Sequence, residues 1–187
     1  MAARQLTQFE HILLGLICQS PSSGYDLKRM FAVTPMGVYQ PSSGALYPAL
    51  RRLELKGLVR AQKGQPSQSA RHRRVYEPTP PGLAAHLGWL RTPVEPATVG
   101  RDLGLHLLRF VMMEHLLPLE EVLGFLQSLA GALAAFVAGL ERYTAAADPG
   151  DRHPRLALDH GLAVHRASLQ WAERTIATLS AALTPSA

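Results

Sequence analysis

The sequence predicts a mainly α-helical fold with one small β-hairpin, divided into two domains. Two kinds of periodicity and one charge boundary carry this prediction. Residues 6–56 alternate short helical patterns with turn clusters, and residues 58–77 switch to a strand, a polar connector and a return strand. Residues 119–183 hold two long stretches with apolar residues at alternating three- and four-residue spacing. Charge changes sign between these regions: residues 1–91 carry 12 Lys+Arg against 4 Asp+Glu, and residues 92–187 carry 7 against 10. The expected boundaries are a first domain over 1–91, a linker over 92–102 and a helical domain over 103–187.

Leu6, Phe9, Leu13 and Leu16 make one face of a first helix, broken at Ser20-Pro21-Ser22-Ser23-Gly24. Cys18 falls in its apolar pattern and is expected to be a buried, inert thiol; one cysteine can form neither an intrachain disulfide nor a four-ligand zinc site. Ser23 is placed to cap a second helix, with Asp26 three residues on completing a capping box. A loop rich in Pro and Gly follows over 34–41. Ser42 or Ser43 caps a third helix over 44–56, which Gly57 ends. Leu46, Leu50 and Leu53 form its buried stripe, leaving Tyr47, Arg51, Arg52 and Lys56 off it.

Residues 58–63 and 71–77 read as two strands joined by a flexible connector, with Lys63, Arg71, His72, Arg73 and Arg74 around the tip. Tyr76 alternates with Val75 and is expected to be structural. Thr79 caps a fourth helix that runs to about residue 90, with Pro80 at its first position. Gly24 and Gly57 are read as backbone punctuation.

In the helical half, Leu119, Val122, Leu126, Leu129, Leu133, Phe136, Leu140 and Tyr143 form one heptad seam. Leu158, Leu162, His165, Leu169, Ala172, Ile176, Leu179 and Leu183 form another. The turn at Ala147-Asp148-Pro149-Gly150-Asp151 joins them, so they are expected to run antiparallel and to dimerise the chain. The first of these helices is apolar well beyond its seam, and residues 122–140 carry no charge, a length near that of a membrane span. Gln127, Ser128, three glycines and the acidic start argue for burial against protein, and no membrane is expected.

Three short helices followed by a basic hairpin make a winged helix-turn-helix. That arrangement suits duplex DNA: a helix enters the major groove with its base-facing side free of core duty, and a flanking element grips phosphate. A basic half joined to a mildly acidic one fits a polyanionic partner for the first alone.

Several segments closely resemble the PadR family of bacterial transcriptional regulators. They are Gly24-Tyr25-Asp26-Leu27, Ser43-Gly44-Ala45-Leu46-Tyr47-Pro48-Ala49-Leu50-Arg51-Arg52-Leu53-Glu54, Gly57-Leu58-Val59, and Arg71-His72-Arg73-Arg74-Val75-Tyr76 followed by Thr79 and Gly82. Together they span roughly residues 9–90. The resemblance implies a dimeric winged-helix repressor responsive to small molecules, with its recognition helix on 43–56 and its wing on 63–74. The long C-terminal half is similar to the subclass with a large helical domain. Pro78 stands where members more often carry Leu, and is expected to end the return strand early.

The candidate DNA contacts are Tyr25, Lys28, Ser42, Ser43, Tyr47, Arg51, Arg52 and Lys56 on the helices, and Lys63, Arg71, Arg73 and Arg74 on the wing. Trp89 and Trp171 are the candidate contacts for a small aromatic or apolar effector, since flat aromatics suit planar ligands. His165 is expected to be a satisfied histidine that fixes helix register. The histidines form no zinc motif, and no phosphate loop, nucleophile elbow or Cys–His pair is present, so neither an enzyme nor a cofactor is expected. The expected partners are inverted-repeat DNA and a second copy of the chain. The early charge at Arg4 and the broken apolar run at the N-terminus do not read as a signal peptide, giving the cytoplasm as the expected compartment.

Overall fold

Thr7 opens the first helix. Its hydroxyl accepts from the Glu10 backbone N–H at 3.2 Å, and the Glu10 carboxylate accepts from the Thr7 N–H at 3.0 Å. This reciprocal capping box starts α1 (Gln8–Gln19). The structure, a computed structural model, describes residues 5–33, 43–62, 74–146 and 152–183. Its contacts divide the chain into two units, Met1–Leu90 and Arg91–Ala187.

In the first unit α1 is the central strut. Residues 12–17 are buried in unbroken succession, a wider face than the sequence stripe, because α1 meets α3, α4 and β3 on different sides. Ser22–Ser23 form a two-residue strand, β1, that turn composition does not announce. The predicted capping box opens α2 (Gly24–Val33): the Ser23 hydroxyl accepts from the Asp26 N–H at 3.2 Å, and Asp26 accepts from the Ser23 N–H at 3.1 Å. The helix α3 (Ser43–Leu55) buries Leu46, Ala49, Leu50 and Leu53. Gly57 ends it at φ +68°, the left-handed conformation expected of a helix-terminating glycine. Gly24 has a different reason from punctuation: a Cβ there would stand 2.7 Å from the Tyr47 ring.

Strands β2 (Val59–Ala61) and β3 (Val75–Pro78) pair antiparallel, and β1 joins the other side of β3, giving the order β1-β3-β2. Pro78 does not end the return strand early; it pairs opposite Val59. The hydrogen bonds run from Gln62 N to Val75 O and from Thr79 N to Leu58 O, so Pro78 sits at a non-hydrogen-bonded position. No ladder bond is lost there, which is why the ring is tolerated. Thr79 then donates its hydroxyl to Gly57 O at 2.6 Å and accepts from Gly82 N at 3.1 Å, capping α4 (Pro80–Leu90). Gly82 packs on the Leu58 backbone so closely that a Cβ would overlap its carbonyl.

In the second unit, part of the stretch assigned to a linker is helical. Pro96–Thr98 form a 3-10 turn leading into α5 (Val99–Met112), which kinks at Asp102. The two heptad stretches are α6 (Leu119–Ala146) and α7 (Arg152–Leu183). They run antiparallel: Phe136 lies against His165 at 4.6 Å between ring centres, and Leu140, one turn on, lies against Gly161, one turn back. The helix α5 meets α6 both off and on its seam: Arg109 stacks over Phe125, outside the seam, at 4.9 Å, and Gly100 lets the seam residue Phe136 approach. By length and composition α6 could cross a membrane; here it packs against α5 and α7. His165 binds its own helix through Nδ1 to Gly161 O at 2.7 Å. The seams loosen at their outer ends, where Tyr143 and Leu183 are exposed.

Candidate nucleic-acid interface

The third helix has a face with no core duty. Gly44, Pro48, Arg51 and Leu55 follow at four, three and four residues, so they share one side of α3, and all four are exposed. The opposite side is the buried stripe of Leu46, Ala49, Leu50 and Leu53. Tyr47 flanks the free face with 54% of its surface exposed, its ring resting on Gly24. Leu55, 78% exposed, was not among the sequence candidates. The same three- and four-residue spacing that gives the core stripe could have found it, once the outer side of the helix was traced as well.

The predicted cations divide into two groups. Arg51 makes no ion pair among the described residues. Arg52 and Lys56 are instead both tied to Glu10 on α1: Arg52 Nε is 2.5 Å from Oε1, and Lys56 Nζ is 3.6 Å from Oε2. Glu10 is 1% exposed. Burial pushes its carboxyl pKa up, but the Arg52 hydrogen bond, the Thr7 N–H and the charges of Lys56 and Arg52 outweigh that and hold it below the ordinary value. In the sequence Glu10 counts only as a charge interrupting an apolar run, so this role was missed. The signal available was Thr7-x-x-Glu10 as a capping box.

At the base of the wing Arg74 pairs with Glu54 of α3, and its guanidinium lies 5.5 Å from the centre of the Tyr76 ring. Tyr76 is buried, as expected of a structural residue. Arg60 and Gln62 both bind Glu77 across the hairpin. These bonds, Gln62 first and then Arg60, draw the Glu77 pKa below its ordinary value. Tyr25 and Lys28 are exposed on α2. Ser42, Lys63, Arg71 and Arg73 lie outside the described residues, as does the side chain of Ser43.

The two tryptophans lie in different units. Trp89 on α4 stacks on His11 of α1, with ring centres 4.9 Å apart and planes 8° from parallel. It also meets His86, which is fully buried; burial first, then the nearby His11, bring the His86 pKa down to about 4. Trp171 on α7 meets Phe110 of α5 edge-on at 5.5 Å. Cys18 is half-buried rather than buried, and this partial burial still raises its thiol to about 11, leaving it protonated at neutral pH. No cluster of metal-ligating side chains occurs among the described residues.

A core helix, a helix with one exposed face free of core duty, and a hairpin tied to that helix by Arg74 define the class: a winged helix-turn-helix of the kind found in transcriptional regulators. Residues 13–86 match the transcriptional regulator PadR-like family, and residues 108–180 match the virulence activator alpha C-terminal family. Over residues 13–86 the chain is similar to PadR-like transcriptional regulators. A probable transcriptional regulator of Mycobacterium tuberculosis, Rv1176c, is 30% identical over 95 residues, 49% of this chain and 48% of the relative. The match thus spans about half the length of that curated relative. Among solved structures, Bacillus subtilis PadR in complex with operator DNA is 20% identical with a TM-score of 0.43, covering 91% of this chain and 98% of that one. The Vibrio cholerae virulence activator AphA is 22% identical with a TM-score of 0.37, covering 92% and 98%.

Proposed function

We propose that the protein is a homodimeric, sequence-specific DNA-binding repressor. In this reading α3 enters the major groove and residues 63–74 hold the backbone or minor groove. The observation that carries it is the two-sidedness of α3: one side is committed to the core, while the other offers Pro48, Arg51 and Leu55, flanked by Tyr47. Such a helix can present hydrogen-bond donors and apolar groups to base edges without disturbing the fold. The dimer would set two such helices on the halves of an inverted repeat, and the protein would act in the cytoplasm, where bacterial DNA lies. A small aromatic or apolar effector would release DNA by binding the DNA-incompetent arrangement better. Trp89 and Trp171 are its candidate contacts. The second unit also holds a cleft of about 170 Å³ lined by Phe110, Leu117, Val122 and Leu179, with Glu114 and His115 as polar neighbours. That size suits a single-ring compound rather than a drug-sized one.

The test is binding to a site selected from a random DNA pool, set beside binding to unselected duplex. Arg51→Ala is expected to cost about 1–3 kcal/mol on the selected site and little on unselected DNA. Arg73→Ala is expected to weaken both alike and to flatten the salt dependence by about one unit of slope. Equal losses on both DNAs for Arg51→Ala would assign Arg51 to phosphate. Failure to bind any duplex at low salt would end the DNA reading.

A further inference from the structure

Of the four carboxylates in the basic unit, Glu10 is the buried one, and its hydrogen bonds leave part of a cation unused. Arg52 is attached through Nε alone; its side chain is half exposed, and its two Nη groups make no further hydrogen bond among the described residues. The other Glu10 oxygen is occupied by the Thr7 N–H at 3.0 Å and faces Lys56 Nζ at 3.6 Å. A guanidinium is a rigid plane, so fixing Nε fixes where the outer pair of donors points. A free arginine loses rotamer freedom when it grips a phosphate, whereas one already held loses less.

We infer that Glu10 is a positioning residue for DNA: it holds Arg52 by Nε so that the outer Nη edge is set toward solvent for a backbone phosphate. The inference rests on the DNA reading above and adds α1 to the binding machinery. A carboxylate that withheld the arginine from DNA would be expected to take its outer donors as well, and Glu10 leaves them free for phosphate.

The experiment is fluorescence anisotropy with a labelled duplex of random sequence over a salt series, on wild type, R52A, E10A, E10Q and the E10A/R52A pair, with thermal melting to verify folding. R52A is expected to weaken binding by about three- to tenfold and to flatten the salt slope by about one. E10A is expected to weaken binding too, although it adds a positive unit to the net charge, and to cause no further loss in the R52A background. E10Q keeps an oxygen for Nε and is expected to bind within about twofold of wild type. If E10A does not fold, E10D replaces it, since the shorter side chain keeps the charge but falls short of Nε.

Tighter binding with a steeper slope in E10A or E10Q would mean that Glu10 withholds Arg52 and Lys56, and would overturn the inference. An undiminished E10A loss in the R52A background would also overturn it, because Glu10 would then act through the fold alone. Unchanged binding in R52A removes the phosphate contact while the DNA reading stands. A wild type that leaves the duplex unbound at low salt removes both.

Discussion

The two units bury their helices in different ways. In the winged unit, α1 is enclosed along six consecutive residues, and all four carboxylates of residues 1–91 are engaged internally: Glu10, Glu54 and Glu77 with cations, and Asp26 with Ser23. In the helical unit, α7 is 32 residues long, yet only Leu162 and Ala172 are buried, while Leu156 and Val164 on it are exposed. The first unit closes its own core. The second leaves a long helix covered on one side by α6. A helix packed on one side gains stability mainly from the stripe it buries. This contrast supports placing the dimer contact in the second unit.

Charge insertion tests the contrast most strongly. Leu126 of α6 is fully buried, so Leu126→Asp is expected to cost about 4 kcal/mol or more and to lose the folded helical unit in a thermal melt. Leu169 of α7 is half-buried, so Leu169→Asp is expected to cost less in folding and to show mainly as dissociation in sedimentation velocity. Equal melting losses for the two would erase the difference between α6 and α7. A wild type that sediments as a stable monomer would remove the dimer.

Acid should reach the winged unit through His86. Its pKa falls from 6.5 to about 4 on folding, so the unfolded chain binds the proton more readily within that window. Stability from the neutral ring is complete above about pH 6.5 and is lost as pH falls toward 4, by on the order of 3 kcal/mol. Urea titrations at several pH values, with His86→Leu as the reference, should show a steeper loss in wild type. Parallel curves for the two proteins would rule the effect out.

The smallest expected effect sharpens how the wing is attached. Gly82→Ala puts a Cβ onto the Leu58 carbonyl and is expected to cost about 1–3 kcal/mol. Gly88→Ala, with open space around it, should be neutral or slightly stabilising. Similar melting temperatures for these two variants would mean that the α4–hairpin junction yields easily.

Local chemistry determined much of this protein. Caps at Ser23 and Thr79, the stop at Gly57, the core stripe of α3 and both heptad seams depend on residues a few positions apart, and the chain order alone states them. The family resemblance came from the same short-range segments. Tertiary structure decided what depends on distant partners. Arg52 and Lys56 meet a carboxylate on α1, some forty residues away in sequence, and no helical spacing reveals that pair. Pro78 keeps its strand because of the hydrogen-bonding phase of the hairpin, which is set by pairing with β2. Gly24 is needed because a tyrosine from another helix lies over it. The helix α5 begins inside a stretch assigned to a linker, and it packs on α6. Short-range order follows from spacing and caps, whereas the pairing of charges and the fit of surfaces exist only once the chain has folded back on itself.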